Sequence, residues 1–234
     1  MIYDALVLSA LAGFAAFAGA FLGWFDVLKK DWLTCHSKHG IMAFGGGALL
    51  AAVALVLVPK GMADTPLFLT VISFLAGAVF FMAVNRFLIA RGTPFCQFMA
   101  MMLDFVPEAI VLGALVAQHY AEAVFLAVLI AAQNLPEGFN AFREMTNGKE
   151  GLKSRRSLLL MGLASASGVV WGVLGYLCFS PTDLTLKLLM LFCAGGIFYL
   201  VFHDIAPVAR EKRWLHSLGS ALGFLVGIIG HGLI

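Results

Sequence analysis

The chain has 234 residues, 62% of them hydrophobic and only 12% charged, with a formal net charge of +2 and a mean hydropathy of +0.97. Soluble domains carry roughly 25% charged residues, so the composition excludes a water-soluble globular fold; the net charge says little about partners, because where the charges sit matters more than their sum, and no nucleic acid is expected. The partner it implies is a lipid bilayer.

In chain order, apolar runs occur at 4–26, 40–58, 66–89, 97–117, 121–142, 157–179, 184–206 and 215–233. Each reaches about 18 residues or more, the length of a membrane-crossing helix. They predict an all-α integral membrane protein with eight transmembrane helices in a single domain over 1–234. The first run is preceded by no Lys or Arg and followed by Lys29 and Lys30, so it reads as a retained helix rather than a cleaved signal. Of the 15 basic residues, all but Lys60 and Lys187 lie in or beside the loops after the first, third, fifth and seventh runs. The positive-inside rule then puts those loops in the cytoplasm and both termini outside.

The longest connection, "REMTNGKEGLKSRR" at 143–156, is a cytoplasmic loop between the fifth and sixth helices. Connections elsewhere are short, so consecutive helices are expected to pack as antiparallel neighbours, with Gly and Ala letting backbones approach. Cys35, Cys96, Cys178 and Cys193 are scattered without a C-x-x-C, which indicates neither a disulfide framework nor a zinc ribbon. "FGGGALLAAVALVLVP" (44–59) and "FCAGGIFYLVFHDIAP" (192–207) share Phe first, Gly fourth and Pro last. Those runs cross the bilayer in opposite senses, so the match predicts an inverted repeat of helices 1–3 and 6–8.

The carboxylates standing well inside the runs, away from Asp4, Asp26 and Glu122 at run ends, are Asp104 and Glu108 in the fourth and Glu137 in the fifth, with Asp204 near the inner end of the seventh. A charge near the bilayer centre costs about 2.5–3.5 kcal/mol, so such a group calls for a partner or a polar cavity. Asp104 and Glu108 are four residues apart, as are Gln133 and Glu137, and Asn134 lies close to the second pair's face. Pro107 and Pro136 each precede an acid and lack an N–H, which frees the carbonyls of Leu103 and Ala132 at the same level. Carboxylates, amides and carbonyls with no basic residue nearby make a cation site. Counting about 1.5 Å per residue, Glu108 lies about 17 Å into its run but Glu137 only about 8 Å from the end of its own. A shared ion therefore requires the fifth helix to run a turn or more past Phe142, or proline kinks to level the two acids.

"DFVPEA" (104–109) and "QNLPEG" (133–138) resemble the paired motifs of the fourth and fifth helices in the ZIP family of divalent metal transporters. "SFLAGAVFFMAVNR" is similar to that family's third helix and "GGIFYLVFHDIAP" to its seventh. The resemblance implies a 3+2+3 arrangement and transport of a divalent cation, zinc first, with manganese or ferrous iron as alternatives, across the cell membrane toward the cytoplasm. It implies a metal-binding set of Asp104, Glu108, Gln133, Asn134 and Glu137, with His203 and Asp204 as a later station on the exit path. The ion is cargo, no resident cofactor is expected, and a homodimer is left open.

The chain departs from the family pattern in having Asp104 and Gln133 where the motifs carry histidine, Phe105 where they carry Asn, and no carboxylate in the sixth run, which offers Ser165 and Ser167. An enzyme is not expected, since neither H-E-x-x-H nor G-x-S-x-G occurs. Two other readings stay open: a degenerate relative with a structural or sensing role, and a proton-coupled carrier of a small organic solute. His36 and His39 read as a solvated loop pair, with metal capture near an exit as the other reading; His119, His216 and His231 read as interfacial.

Overall fold

The computed structural model describes residues 2–28, 35–91, 93–117, 119–147, 151–180, 182–205 and 214–233, with side chains throughout except at 35–38, 204–205 and 215. Peptide groups in hydrocarbon have only each other to bond with, and the apolar runs meet that demand by coiling. The helices are α1 (Ile2–Leu28), α2 (Cys35–Ala52), α3 (Leu67–Arg91), α4 (Cys96–Val116), α5 (Tyr120–Thr146), α6 (Ser154–Cys178), α7 (Leu184–Leu200) and α8 (Trp214–Gly232). α2 continues through a π turn, Val53–Leu57, into a last stretch, Val58–Met62, and α7 likewise passes into a π turn, Val201–Ile205. The helices coincide with the apolar runs to within about a turn. Among the described residues, six stretches, α1, His39–Met62, α3, α4, α6 and Leu184–His203, are long and apolar enough to cross a membrane. The chain is an all-α, multi-pass membrane protein.

Packing departs from the expectation of sequential neighbours. α1 packs on α5 and α6, α4 on α5 and α6, α2 on α8, and α3 almost wholly on α7; of the consecutive pairs, only α4 and α5 share an extensive face. Short loops fix at which end a helix begins, but in a bilayer the faces able to approach closely choose the partner. Gly47 of α2 lies against the Ser220 carbonyl of α8, and Gly223 of α8 against the Phe44 carbonyl of α2, so closely that a Cβ on either glycine would overlap the oxygen. The same arrangement holds Gly195 of α7 against Phe74 of α3, and Gly77 of α3 against Phe192 of α7. Phe44 and Gly47 thus stand in α2 as Phe192 and Gly195 stand in α7. The π turns fall in the same register, each starting nine residues after its phenylalanine.

These contacts carry a prediction. Gly77→Leu and Gly223→Leu each destabilise the fold by about 1–3 kcal/mol or more, because the added side chain forces two backbones apart. Gly232→Leu, with no neighbouring atom within 4 Å of the added Cβ, leaves the thermal unfolding midpoint of the detergent-solubilised chain unchanged.

Candidate metal centre

α4 and α5 run antiparallel side by side, and both continue as helix through their internal prolines, Pro107 and Pro136. Antiparallel packing sets the two i, i+4 pairs in opposite order along a common axis. Glu108 therefore meets Gln133, whose Nε2 donates to Glu108 Oε2 at 2.5 Å. One turn along, Asp104 and Glu137 line one small cavity. α5 runs to Thr146, a full turn past Phe142, yet Glu137 stands one turn from Glu108, at the level of Asp104.

That extra turn is held by charge. Arg143 forms an ion pair with Asp26 at the end of α1, and Asp26 is wholly buried. Glu144 Oε2 accepts a hydrogen bond from the backbone N–H of Gln97 in the first turn of α4, at 2.6 Å. Arg143 and Glu144 end the apolar run without ending the helix.

Asp104, Glu108, Gln133 and Asn134 are all buried. Asp104 Oδ1 accepts from the Phe105 N–H at 2.8 Å, and Asn134 Nδ2 donates to the Ala12 carbonyl of α1 at 3.0 Å, so Asn134 also ties α5 to α1. What remains unpaired has one character: Glu108 Oε1, Gln133 Oε1, Asn134 Oδ1 and Glu137 Oε2 are buried acceptors with no donor. Buried polar atoms are almost always satisfied, and a group of orphaned oxygens with no N–H among them matches the needs of a hard or borderline cation. The three carboxylates lie within electrostatic range of one another. Among the described residues, however, no three His, Cys, Asp or Glu side chains already converge on one point.

The cavity has a volume of about 40 Å³ and runs from Asp104 and Glu137 past Met101 and Asn140 to Gln97 and to Met42 of α2. A site needs roughly 10–15 Å³ to hold a water, so this one admits an ion or a few waters and no sizeable organic molecule. Beyond Glu108, in the other direction, Leu112, Leu115, Leu126, Leu129, Ile130, Val53 and Leu57 form the main apolar core.

The sequence reading did not include the cavity's other polar residues, Gln97 and Asn140. Their signal was present: Gln97, Met101, Asp104 and Glu108 recur at helical spacing on one face, as do Gln133, Glu137 and Asn140. His203 is not brought to the centre. It is exposed, stacks on Tyr199 with ring centroids 5.3 Å apart, and shares a hydrogen bond with Asn85 of α3 at 3.2 Å. The Asp204 side chain lies outside the described residues. Ser165 of α6 is buried and Ser167 bonds the Ala164 carbonyl of its own helix. His39, expected in a loop, belongs to α2, and His216, expected at the interface, is buried. No family model matches the chain, and no curated protein matches it.

Proposed function

We propose that the chain carries a divalent metal cation across the cell membrane toward the cytoplasm, as a divergent relative of the ZIP transporters. On this reading all eight helices cross the bilayer, both termini lie outside, and α1–α3 and α6–α8 are inverted repeats flanking the α4–α5 pair. The matched glycine contacts and matched π turns support the repeat. The observation that carries the function is the set of orphaned acceptor oxygens on Glu108, Gln133, Asn134 and Glu137 deep in the bundle.

Two ionised carboxylates offset the charge of a +2 ion, so the loaded site crosses low-dielectric surroundings with little net charge. Because no three-ligand cluster stands ready among the described residues, loading draws Glu137 and Asp104 toward Glu108, and the site assembles around its cargo. Release follows the cavity toward Gln97 and Asn140, on the side of the basic loops, while the apolar core beyond Glu108 bars the opposite path. His203 and Asp204 remain the resemblance-derived candidates for a later station. Zinc is the first cargo to test; an oxygen donor set serves manganese or ferrous iron as readily.

The test is uptake by proteoliposomes of the purified chain, offered Zn, Mn, Fe(II), Cd and Mg in turn. Saturable flux of zinc or another transition metal, with none of Mg, is the expected result. The lack of a ready three-ligand cluster among the described residues favours a second reading, a degenerate relative with a structural or sensing role; absence of both flux and binding for every metal would favour it or a carrier of a small organic solute.

A further inference from the structure

A second feature with metal chemistry lies away from the α4–α5 pair, where α2 and α8 begin. His39, in the second turn of α2, and His216, in the first turn of α8, place their imidazole rings with centroids 5.4 Å apart and planes at 81°. His216 is fully buried and His39 half-buried. The ring separation has a metrical meaning. With a Zn–N bond of about 2.0–2.1 Å and a tetrahedral angle, two imidazoles on one ion have centroids about 5 Å apart.

The backbones at this point cannot drift. Gly219, one turn after His216, lies so close to the Gly40 carbonyl that an added Cβ would come within 2.7 Å of it. Farther along, Gly47 and Gly223 lock the same two helices. A ligand pair on two rigid, closely packed helices loses little freedom on binding, which is what a preformed metal site requires.

We infer that His39 and His216 form a second divalent-cation site, which joins α2 to α8 and is nitrogen-ligated where the α4–α5 centre offers only oxygen. Imidazole favours zinc, copper and nickel over manganese and magnesium, so this site takes a borderline ion and completes its shell with water. Its occupant staples the two helix starts together at the end of the bundle that carries the basic loops. The inference does not rest on the transport reading.

The experiment removes the oxygen centre first. In the full chain bearing Glu108→Gln and Glu137→Gln, zinc binding is measured by competition with a chromophoric chelator, and the bound metal's shell by X-ray absorption. One zinc per chain showing imidazole scattering is expected, and adding His39→Ala weakens it at least about tenfold. Zinc also raises the thermal unfolding midpoint of this chain and not that of its His39→Ala derivative. His216→Gln, at a buried position, is read only where its metal-free melting matches the parent, and it should abolish the imidazole signature. Absence of imidazole-bound zinc in the parent chain, or unchanged affinity in His39→Ala, overturns the site. Either result leaves uptake by wild-type proteoliposomes as a separate measurement.

Discussion

Proteoliposomes carrying Glu108→Gln take up metal at least about 100-fold more slowly than wild type. Loss of a group that only supports a metal ligand costs about 10–100-fold, and Glu108 is proposed as a ligand itself. The substitution keeps the side chain's size and its ability to bond Gln133, so the helix pair survives while one negative charge and one acceptor oxygen go. A +2 ion then enters the bundle with one carboxylate fewer to coordinate and offset it, in surroundings where pairing decides whether burial is tolerated. Glu137→Gln has a comparable effect. Asn134→Ala loses less flux, because half of that side chain's capacity is spent on Ala12, and its cost falls on α1–α5 packing. Initial rates of the metal preferred by wild type are the measurement, with thermal melting as a fold control. Flux within about threefold of wild type in both glutamate variants would sink the assignment.

The second large effect is on stability. Arg143→Ala removes the ion-pair partner of Asp26, a carboxylate wholly enclosed by protein. Breaking one side of a buried pair costs about 3–5 kcal/mol, because the buried charge loses its counterion without regaining water. At roughly 2–4 °C per kcal/mol for a chain of this size, the unfolding midpoint falls by about 6–20 °C. The double change Asp26→Ala with Arg143→Ala recovers most of the loss, since the cost lies in the stranded charge and not in the pair's net strength. A double change as damaging as Arg143→Ala alone would refute that account. The pair also matters to the metal centre: by anchoring the last turn of α5 to α1, it fixes how deep Glu137 sits.

The same turn shows where a sequence can be read and where it cannot. The apolar runs locate the helices, because a bilayer allows an isolated segment few other structures. The two i, i+4 pairs beside their prolines likewise announced a common face, and Glu108 and Gln133 do meet across it. An apolar count, however, stops at Arg143, and nothing local says that Asp26, more than a hundred residues earlier, will satisfy it inside a helix. The pairing of His39 with His216 escaped notice for the same reason, since one read as a loop residue and the other as interfacial until α2 and α8 proved to be partners. Helix partnership itself was hidden. Gly47, Gly77, Gly195 and Gly223 were visible as small residues, but which glycine faces which carbonyl is a property of two surfaces at once.

The paired π turns bear on the history of the chain. A π turn is what a helix makes of one residue too many: the ladder of bonds widens by a residue. Val53–Leu57 and Val201–Ile205 absorb that extra residue at the same distance from Phe44 and Phe192. Two independent insertions landing at one register is a coincidence that a single event makes unnecessary. On the proposed repeat, the residue was gained by an ancestral three-helix unit before its two copies came to flank α4 and α5.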